Sequence, residues 1–191
     1  MSVKYIFPIS IASKICNFHS HKIIDLIYQI KSSDKFNIKH SNIKGWHSSP
    51  NLQCNNNIIA NLPNLISDIK ELLDEMGMNI KMINIHSMWA MINPPGSYNL
   101  SHIHGHCTLS GVLYLKTPEN SGRIVFENYI DEGVGLYNLL KNPEFTNSYS
   151  SFPITPESNL LLLFHPNLRH HVEINESLDD RISISFNINL S

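Results

Sequence analysis

The clearest pattern in the chain is a strict alternation of apolar and polar residues over 181–190, RISISFNINL. Successive side chains of a strand point to opposite faces, so this segment is predicted to be a strand with one apolar and one polar face. Short apolar segments at 83–92, 109–116, 123–129 and 159–165 end at turns rich in Pro, Gly and Asn, which predicts four more strands. The polar face of 181–190 either meets solvent or lines the mouth of a cavity, as it can in a jelly roll.

Helical spacing replaces this pattern in residues 1–78. We predict a short helix from four isoleucines after a Ser20 cap, and a longer one that starts near Pro63 and ends at Gly77. The segment 45–57, GWHSSPNLQCNNN, is predicted to be a loop. The apolar stripes are Ile23, Ile24, Ile27 and Ile30 in the first helix, and Leu62, Leu65, Ile66, Ile69, Leu72, Leu73 and Met76 in the second.

Composition favours one domain, 1–191, with a helical flank at 1–78 and a β core at 79–191. Only 16% of residues are charged and the net charge is −2, without a basic run, so we expect no nucleic-acid partner. No apolar run reaches the roughly 18 residues of a membrane span, and no secretory signal is recognisable, so we expect a cytoplasmic protein without a membrane partner. Cys16, Cys54 and Cys107 fit neither a disulfide framework nor a metal knuckle, and we expect them to be reduced.

Histidine is the residue that carries candidate chemistry. Six of the eleven histidines fall in two stretches, NLSHIHGHC (99–107) and FHPNLRHHV (164–172). Alternate residues of an extended segment share a face, so imidazoles from the first stretch can point at one place, and a second group on another strand can join them. A metal ion is the predicted occupant, although imidazole suits Zn, Fe, Cu and Ni alike. A solvated polar face is the alternative.

Three segments together resemble a known family. They are MWAMINPPGSYNLSHIHGHCTLSGVLYLKTPENSGRIVFEN (88–128), LFHPNLRHHVEIN (163–175) and RISISFNI (181–188), and GWHSS (45–49) is similar to the family's N-terminal region. Their order and spacing resemble the small bacterial and phage branch of the 2-oxoglutarate-Fe(II) oxygenases. The resemblance implies a mainly β fold, a cupin-like double-stranded β-helix or jelly roll at 79–191 flanked by N-terminal helices, with Fe(II) and 2-oxoglutarate as cofactors.

The resemblance also implies the metal ligands His102, His104 and His170. The family usually has a carboxylate two residues after the first histidine, where this chain has His104. Three neutral imidazoles would leave the site at +2, a charge that the dianionic cosubstrate would neutralise. Two other ligand sets stay open, one shifted to His104 and His106 and one that uses the carboxylate of Glu127.

The family pattern F-x-x-x-L-x-H-x-V selects the distal ligand. It falls on Phe164, Leu168, His170 and Val172. The resemblance therefore favours His170 over its neighbour. On a strand, His171 should face away from the metal. We expect both His171 and His165 to be solvated or core-edge imidazoles and not ligands.

Arg181 is implied to bind the far carboxylate of 2-oxoglutarate, because a guanidinium can pair with both oxygens. The alternative is an exposed charge beside Asp179 and Asp180. Ser183 lies on the same face and could add a hydroxyl bond, and Tyr114 and Asn93 are further candidates for cosubstrate or substrate contact. Trp89 is expected in the core.

The family reaction converts 2-oxoglutarate and O₂ into succinate and CO₂ and usually hydroxylates an unactivated C–H bond. We expect a small-molecule or peptide substrate, with the long segment 128–156 as a lid that selects it. Two other functions remain open: a cupin-like three-histidine metalloprotein with cosubstrate-independent dioxygenase or isomerase activity, and a non-catalytic metal- or ligand-binding module. A homodimer is also left open.

Overall fold

The computed structural model of the protein describes residues 9–128 and 151–191. The helices are α1 (Ser20–Ser33), α2 (Asn56–Ala60) and α3 (Leu65–Glu75), with a 3₁₀ turn at Leu52–Cys54. The strands are β1 (Ile11–Ile15), β2 (Asn42–Ile43), β3 (Trp46–His47), β4 (Ile83–Asn93), β5 (Tyr98–His102), β6 (Leu109–Lys116), β7 (Ile124–Glu127), β8 (Ser151–Ile154), β9 (Leu160–Phe164), β10 (His170–Val172) and β11 (Arg181–Leu190).

Within these residues the strands form two sheets, and their pairing is antiparallel. Sheet A has the order β1-β9-β6-β11-β4-β3, and sheet B has the order β2-β5-β10-β7-β8. Side chains from both sheets line a common cavity. This architecture confirms the predicted mainly β jelly roll. None of the described helices is both long and apolar enough to cross a membrane.

Strand β11 lies in the middle of sheet A and divides its side chains between two environments. Ile182, Ile184, Phe186 and Ile188 are fully buried and pack into the core that sheet A shares with α1 and α3. Their polar neighbours face sheet B and line the cavity between the sheets; they are Arg181, Ser183, Ser185 and Asn187. The polar face of this strand therefore lines a cavity.

One glycine in β6 allows this core to close. A Cβ atom at Gly111 would lie 2.4 Å from the ring of Phe186 and 2.9 Å from Leu163. Real Cβ atoms do not approach other atoms so closely. The Phe186 ring therefore fits only because its cross-strand neighbour, Gly111, has no side chain.

The five predicted strands are confirmed as β4, β6, β7, β9 and β11. Within 79–191 the structure adds three strands to these five. β5 and β10 carry the histidine stretches, which were expected to be extended and on separate strands, and β8 falls inside the predicted lid and pairs with β7. Residues 129–150 of that lid lie outside the described residues. The three added strands are short and lack a clear alternation of apolar and polar residues, so this pattern does not mark them. Pairing with neighbouring strands in the sheet stabilises them.

Both predicted helices exist, with corrected ends. Ser20 does not cap α1 but is its first residue. The second helix, α3, begins at Leu65 because residues 61–64 form a turn after α2, and Pro63 lies in that turn. Gly77 follows the helix with φ of 74°, the left-handed conformation that suits glycine there.

The N-terminal region is less purely helical than predicted. Strand β1 pairs with β9 at the edge of sheet A. Strand β2 pairs with β5 in sheet B, and β3 pairs with β4 in sheet A. The predicted loop 45–57 contains β3 and the start of α2, because Asn55 accepts hydrogen bonds from the backbone N–H groups of Asn57 and Ile58 and caps that helix. Cys16, Cys54 and Cys107 are all free thiols, as predicted.

Candidate metal centre and anion pocket

A cavity of about 690 Å³ lies between the two sheets. Sheet A supplies its floor from β4, β6, β9 and β11, and sheet B supplies its opposite wall from β5, β7 and β10. Arg181 is the only arginine among the described residues that line it, and these residues include no Asp, Glu or Lys. Apart from the histidines, the rest of its described lining combines apolar side chains with uncharged polar ones.

Three histidines meet in this cavity. His102 ends β5, His104 follows it by two residues, and His170 begins β10 directly opposite His102 in the antiparallel pair. One ring nitrogen of each lies within 4.8 Å of the others. Among the described residues this is the only group of three or more His, Cys, Asp or Glu side chains with metal-ligand spacing.

Two of these rings have a fixed orientation. Nδ1 of His102 lies 2.8 Å from the carbonyl oxygen of Leu100, and Nδ1 of His170 lies 2.8 Å from that of Leu168. A carbonyl can only accept, so each Nδ1 is the protonated nitrogen and each Nε2 keeps its lone pair. A backbone partner of this kind is typical of metal-ligating histidines.

The histidines are held neutral by their surroundings. Burial lowers the pKa of His104 to about 4, with the neighbouring His102 adding to the effect. Burial lowers the pKa of His170 to about 3 and also lowers that of His102. Neutral imidazole is the form that binds a metal, so the cluster is competent at neutral pH without losing protons first.

Glu127, His106, His165 and His171 lie elsewhere. Glu127 accepts from Ser101 Oγ at 2.9 Å and lies 2.7 Å from His171 Nδ1, on the outer face of sheet B. His106 is exposed in a left-handed backbone conformation, and His165 is exposed. Neither Glu127 nor His106 belongs to the cluster of ring nitrogens.

Arg181 is buried, with 2% of its surface exposed. Its Nη1 donates to the backbone carbonyls of Ser121 at 2.7 Å and Gly122 at 3.2 Å, which fixes the guanidinium at the cavity wall. No described carboxylate pairs with it. A buried cation without a counter-ion is costly, so this end of the cavity favours an anion. Burial accordingly lowers the pKa of Arg181.

Ser183, Tyr114 and Asn93 are buried in the same wall and line the cavity. Burial raises the pKa of Tyr114 to about 12, so its phenol stays protonated and can donate a hydrogen bond. Asn93 faces Arg181 across the β4–β11 pair and donates to Asn99 Oδ1 at 3.3 Å. All four sequence-predicted residues at this end are therefore brought together.

Several cavity residues were not predicted. His47 reaches the cavity because β3 pairs with β4 opposite Met91, which no local sequence signal indicates. Ser185 and Asn187 share the parity of Arg181 along β11, and that alternation could have identified them. The expectation that Trp89 belongs to the core is wrong, because its half-buried ring lines the cavity and stacks on His47.

The donor set fits Fe(II). Three neutral imidazole nitrogens on one side of a cavity leave the opposite side open for other ligands, as in non-haem iron sites with three protein ligands. The buried guanidinium at one end of the same cavity can balance the charge of an anionic co-ligand. The residues present therefore suit both a divalent ion and a carboxylate ligand.

Comparison with known proteins agrees with this geometry. Residues 87–187, more than half of the chain, match the sequence profile of the family described as "Putative 2OG-Fe(II) oxygenase". No curated protein gives a significant match.

Solved structures share the fold. A viral collagen prolyl hydroxylase from Paramecium bursaria Chlorella virus-1, in complex with 2-oxoglutarate, is 14% identical with a TM-score of 0.62, covering 93% of this chain and 94% of the viral one. HygX from Streptomyces hygroscopicus, with nickel, 2-oxoglutarate and hygromycin B bound, is 10% identical with a TM-score of 0.62 and coverages of 95% and 83%.

A third similar structure is a prolyl hydroxylase from Trichoplax adhaerens in complex with a hypoxia inducible factor peptide. It is 15% identical with a TM-score of 0.59, and the match covers 94% of this chain and 83% of the prolyl hydroxylase chain. At these identities the three likenesses concern the fold, and the family follows from the matched profile. The chain belongs to the 2-oxoglutarate-Fe(II) oxygenase family and is an enzyme whose cofactors are Fe(II) and 2-oxoglutarate.

Proposed function

We propose that the three-histidine cluster and Arg181 form one active site that hydroxylates an unactivated C–H bond of a small molecule or peptide. In this assignment His102, His104 and His170 hold Fe(II), and Arg181 pairs with the far carboxylate of 2-oxoglutarate. The observation that carries the proposal is their common cavity, in which a buried guanidinium, paired with no carboxylate of residues 9–128 or 151–191, accompanies three neutral imidazoles.

When bound together, Fe(II) and 2-oxoglutarate supply the activation of O₂, with succinate and CO₂ as the products of the cosubstrate. The chain's own residues bind and orient. Arg181 is held by two carbonyls through Nη1, and no other described residue bonds to its planar group, which can therefore pair with a carboxylate. Ser183 and Tyr114 add hydroxyl groups beside it, and the apolar side chains of Val112, Leu162 and Phe164 exclude water behind the site.

The far wall of the cavity suits an uncharged substrate group. Asn187 accepts from Ser110 Oγ at 2.8 Å and donates to Ser87 Oγ at 3.2 Å, and Ser185 lies beside it. These amide and hydroxyl groups can bond to a peptide or to a hydroxylated small molecule. The similar proteins include a collagen prolyl hydroxylase and one bound to hygromycin B, and both substrate classes stay within the proposal.

Anaerobic titration tests the site directly. Adding Fe(II) and then 2-oxoglutarate to the purified protein should produce the visible charge-transfer band of an iron-bound 2-oxoglutarate chelate, and air should then release succinate in proportion to 2-oxoglutarate consumed. A metal-loaded protein that oxidises substrates without 2-oxoglutarate would support the cupin-like alternative. A protein that binds metal and shows neither band nor turnover would support a binding module.

A further inference from the structure

His104 is held differently from the other two histidines of the cluster. The rings of His102 and His170 each bond to a carbonyl oxygen two residues earlier. The ring of His104 makes no hydrogen bond to any residue within 9–128 and 151–191, although its backbone N–H donates to Pro166 at 2.8 Å. Among the described residues, its ring is therefore held by packing and not by a hydrogen bond.

Ring packing is what the structure offers instead. The Trp89 ring lies 5.8 Å from that of His104 at an interplanar angle of 34°, and the ring of His170 stacks at 5.2 Å and 19°. Behind Trp89, His47 stacks at 5.6 Å and 9°. The result is a continuous row of rings, His47–Trp89–His104, which we name the aromatic row.

The aromatic row has a fixed end. His47 is buried, and its Nδ1 lies 2.6 Å from the carbonyl oxygen of Ser48. Its strand, β3, is paired to β4 two residues away from Trp89, opposite Met91. The position of Trp89 is therefore set by the sheet on one side and by a hydrogen-bonded imidazole on the other.

We propose that Trp89, supported by His47, is a positioning residue that orients the imidazole of His104 toward the metal. The inference rests on the proposed function, in which His104 is a ligand. A carboxylate at that position could be oriented by hydrogen bonds to its two oxygens. An imidazole is planar, and packing of neighbouring rings against it restricts the rotation that would turn its ligating nitrogen away.

A double-mutant cycle with Co(II) as the probe tests this. Loss of a partner that orients a ligand typically costs about 10- to 100-fold in metal affinity, so Trp89→Leu should raise the Co(II) Kd by about tenfold and alter the visible ligand-field bands. Trp89→Phe keeps a ring and should restore most of the affinity and the original band shape. In a His104→Asp background, Trp89→Leu should change the Kd by less than about twofold, because no imidazole remains to orient.

Two further variants make the outcome decisive. His47→Ala should weaken Co(II) binding by a few-fold through Trp89, and Met91→Leu, on the same face of β4, should leave it unchanged. An equal loss for Trp89→Leu with His104 and with His104→Asp would mean a general effect on the cavity and would overturn the inference. So would Trp89→Phe binding as weakly as Trp89→Leu.

The same measurements separate this inference from the proposed function. If His104→Ala binds Co(II) as tightly as the unmodified protein, the ligand assignment itself fails, whatever Trp89 does. If His104→Ala loses the metal while Trp89→Leu keeps both affinity and spectrum, the ligand assignment stands and only the positioning role fails. Thermal unfolding of each metal-free variant confirms that it is folded before titration.

Discussion

The inner and outer faces of sheet B use the same residue types for different purposes. On the inner face, His102 and His170 bond to backbone carbonyls. Neither forms a pair with a carboxylate within the described part of the chain. One residue away on the outer face, His171 pairs with Glu127 at 2.7 Å, and Ser101 bonds to the same carboxylate. Successive residues of a strand point to opposite faces, so His170 faces the cavity while the adjacent His171 faces Glu127 and solvent.

Two arginines near the β6–β7 turn repeat the contrast. Arg123 lies on the outer side and makes a two-pronged ion pair with Glu173, at 2.7 Å and 2.6 Å. Arg181 is buried on the inner side and is held by the carbonyls of Ser121 and Gly122, and no carboxylate in the described part of the chain pairs with it. The outer arginine has its anion already, whereas the inner one is arranged to receive an anion. Each inner residue therefore has a natural control on the outer face.

The largest expected effect comes from removing an inner histidine. His170→Ala should raise the Fe(II) Kd by more than about 100-fold, beyond the usual cost of losing a partner outside the ligand set. His171→Ala should change it by less than about twofold, because the His171–Glu127 contact lies on the outer face of sheet B and does not touch the cluster. Anaerobic isothermal titration of Fe(II) into both variants measures this.

Glu127→Ala and His106→Ala complete that experiment. Both variants should bind Fe(II) as the unmodified protein does, because neither side chain lies in the cluster of ring nitrogens. If Glu127→Ala lost the metal while His104→Ala kept it, the carboxylate would be a ligand and the contrast between the two faces would be wrong.

The next effect is on 2-oxoglutarate. Loss of one partner of a buried, hydrogen-bonded charge pair costs about 2–5 kcal/mol, so Arg181→Ala should weaken 2-oxoglutarate binding by roughly 30-fold to several-thousand-fold. Fe(II) affinity should be nearly unchanged. Arg181→Lys should recover only part of the loss, because a point charge cannot reproduce the planar fork. Titration of 2-oxoglutarate into the metal-loaded variants gives the numbers.

Arg123→Ala is the matched control, since it removes an arginine from the outer side of the same turn. It should leave 2-oxoglutarate affinity within about twofold, because surface ion pairs contribute little. Similar losses for Arg123→Ala and Arg181→Ala would show that net charge is what matters and would remove Arg181 from the site.

The smallest effect is a pH dependence of the metal-free protein. Burial lowers the pKa of His170 in the folded state from 6.5 to about 3, so between these values only the unfolded chain takes up the proton. Stability is therefore fully present above about pH 6.5 and is lost as the pH falls, by at most about 1.4 kcal/mol per pH unit for each such histidine. The melting temperature should fall between pH 7.5 and 5.5, and less so in His170→Gln. Equal slopes in the two proteins would contradict the buried, neutral state of His170.

The sequence predicted much of this site because its signals are local. The alternation in 181–190 places Arg181 and Ser183 on one face, and the two histidine stretches place imidazoles on separate strands. The choice between solvent and cavity for that polar face could not be made locally, because it depends on where the other sheet packs. The structure resolves it through the cavity that β11 shares with β5 and β10.

The residues that sequence reasoning missed depend on long-range pairing. His47 lies in a segment rich in Ser, Asn and Pro that predicts a loop, and only its pairing with β4 carries it to the cavity. Trp89 lies in an apolar strand, where a core position is the usual expectation, yet the parity of β4 turns it toward the histidines. Both cases show pairing between strands overriding local composition.

The two-sided character of β11 has a practical consequence for engineering the protein. Its odd-numbered positions from Arg181 to Asn187 face the cavity, while the even-numbered ones are buried against the helices. A combinatorial library at Ser185 and Asn187 would alter cavity shape and hydrogen bonding while leaving every core side chain of that strand in place. Under the proposed assignment, a first round of design at the odd-numbered positions would address the cavity, and a second round at the even-numbered positions would address packing against the helices.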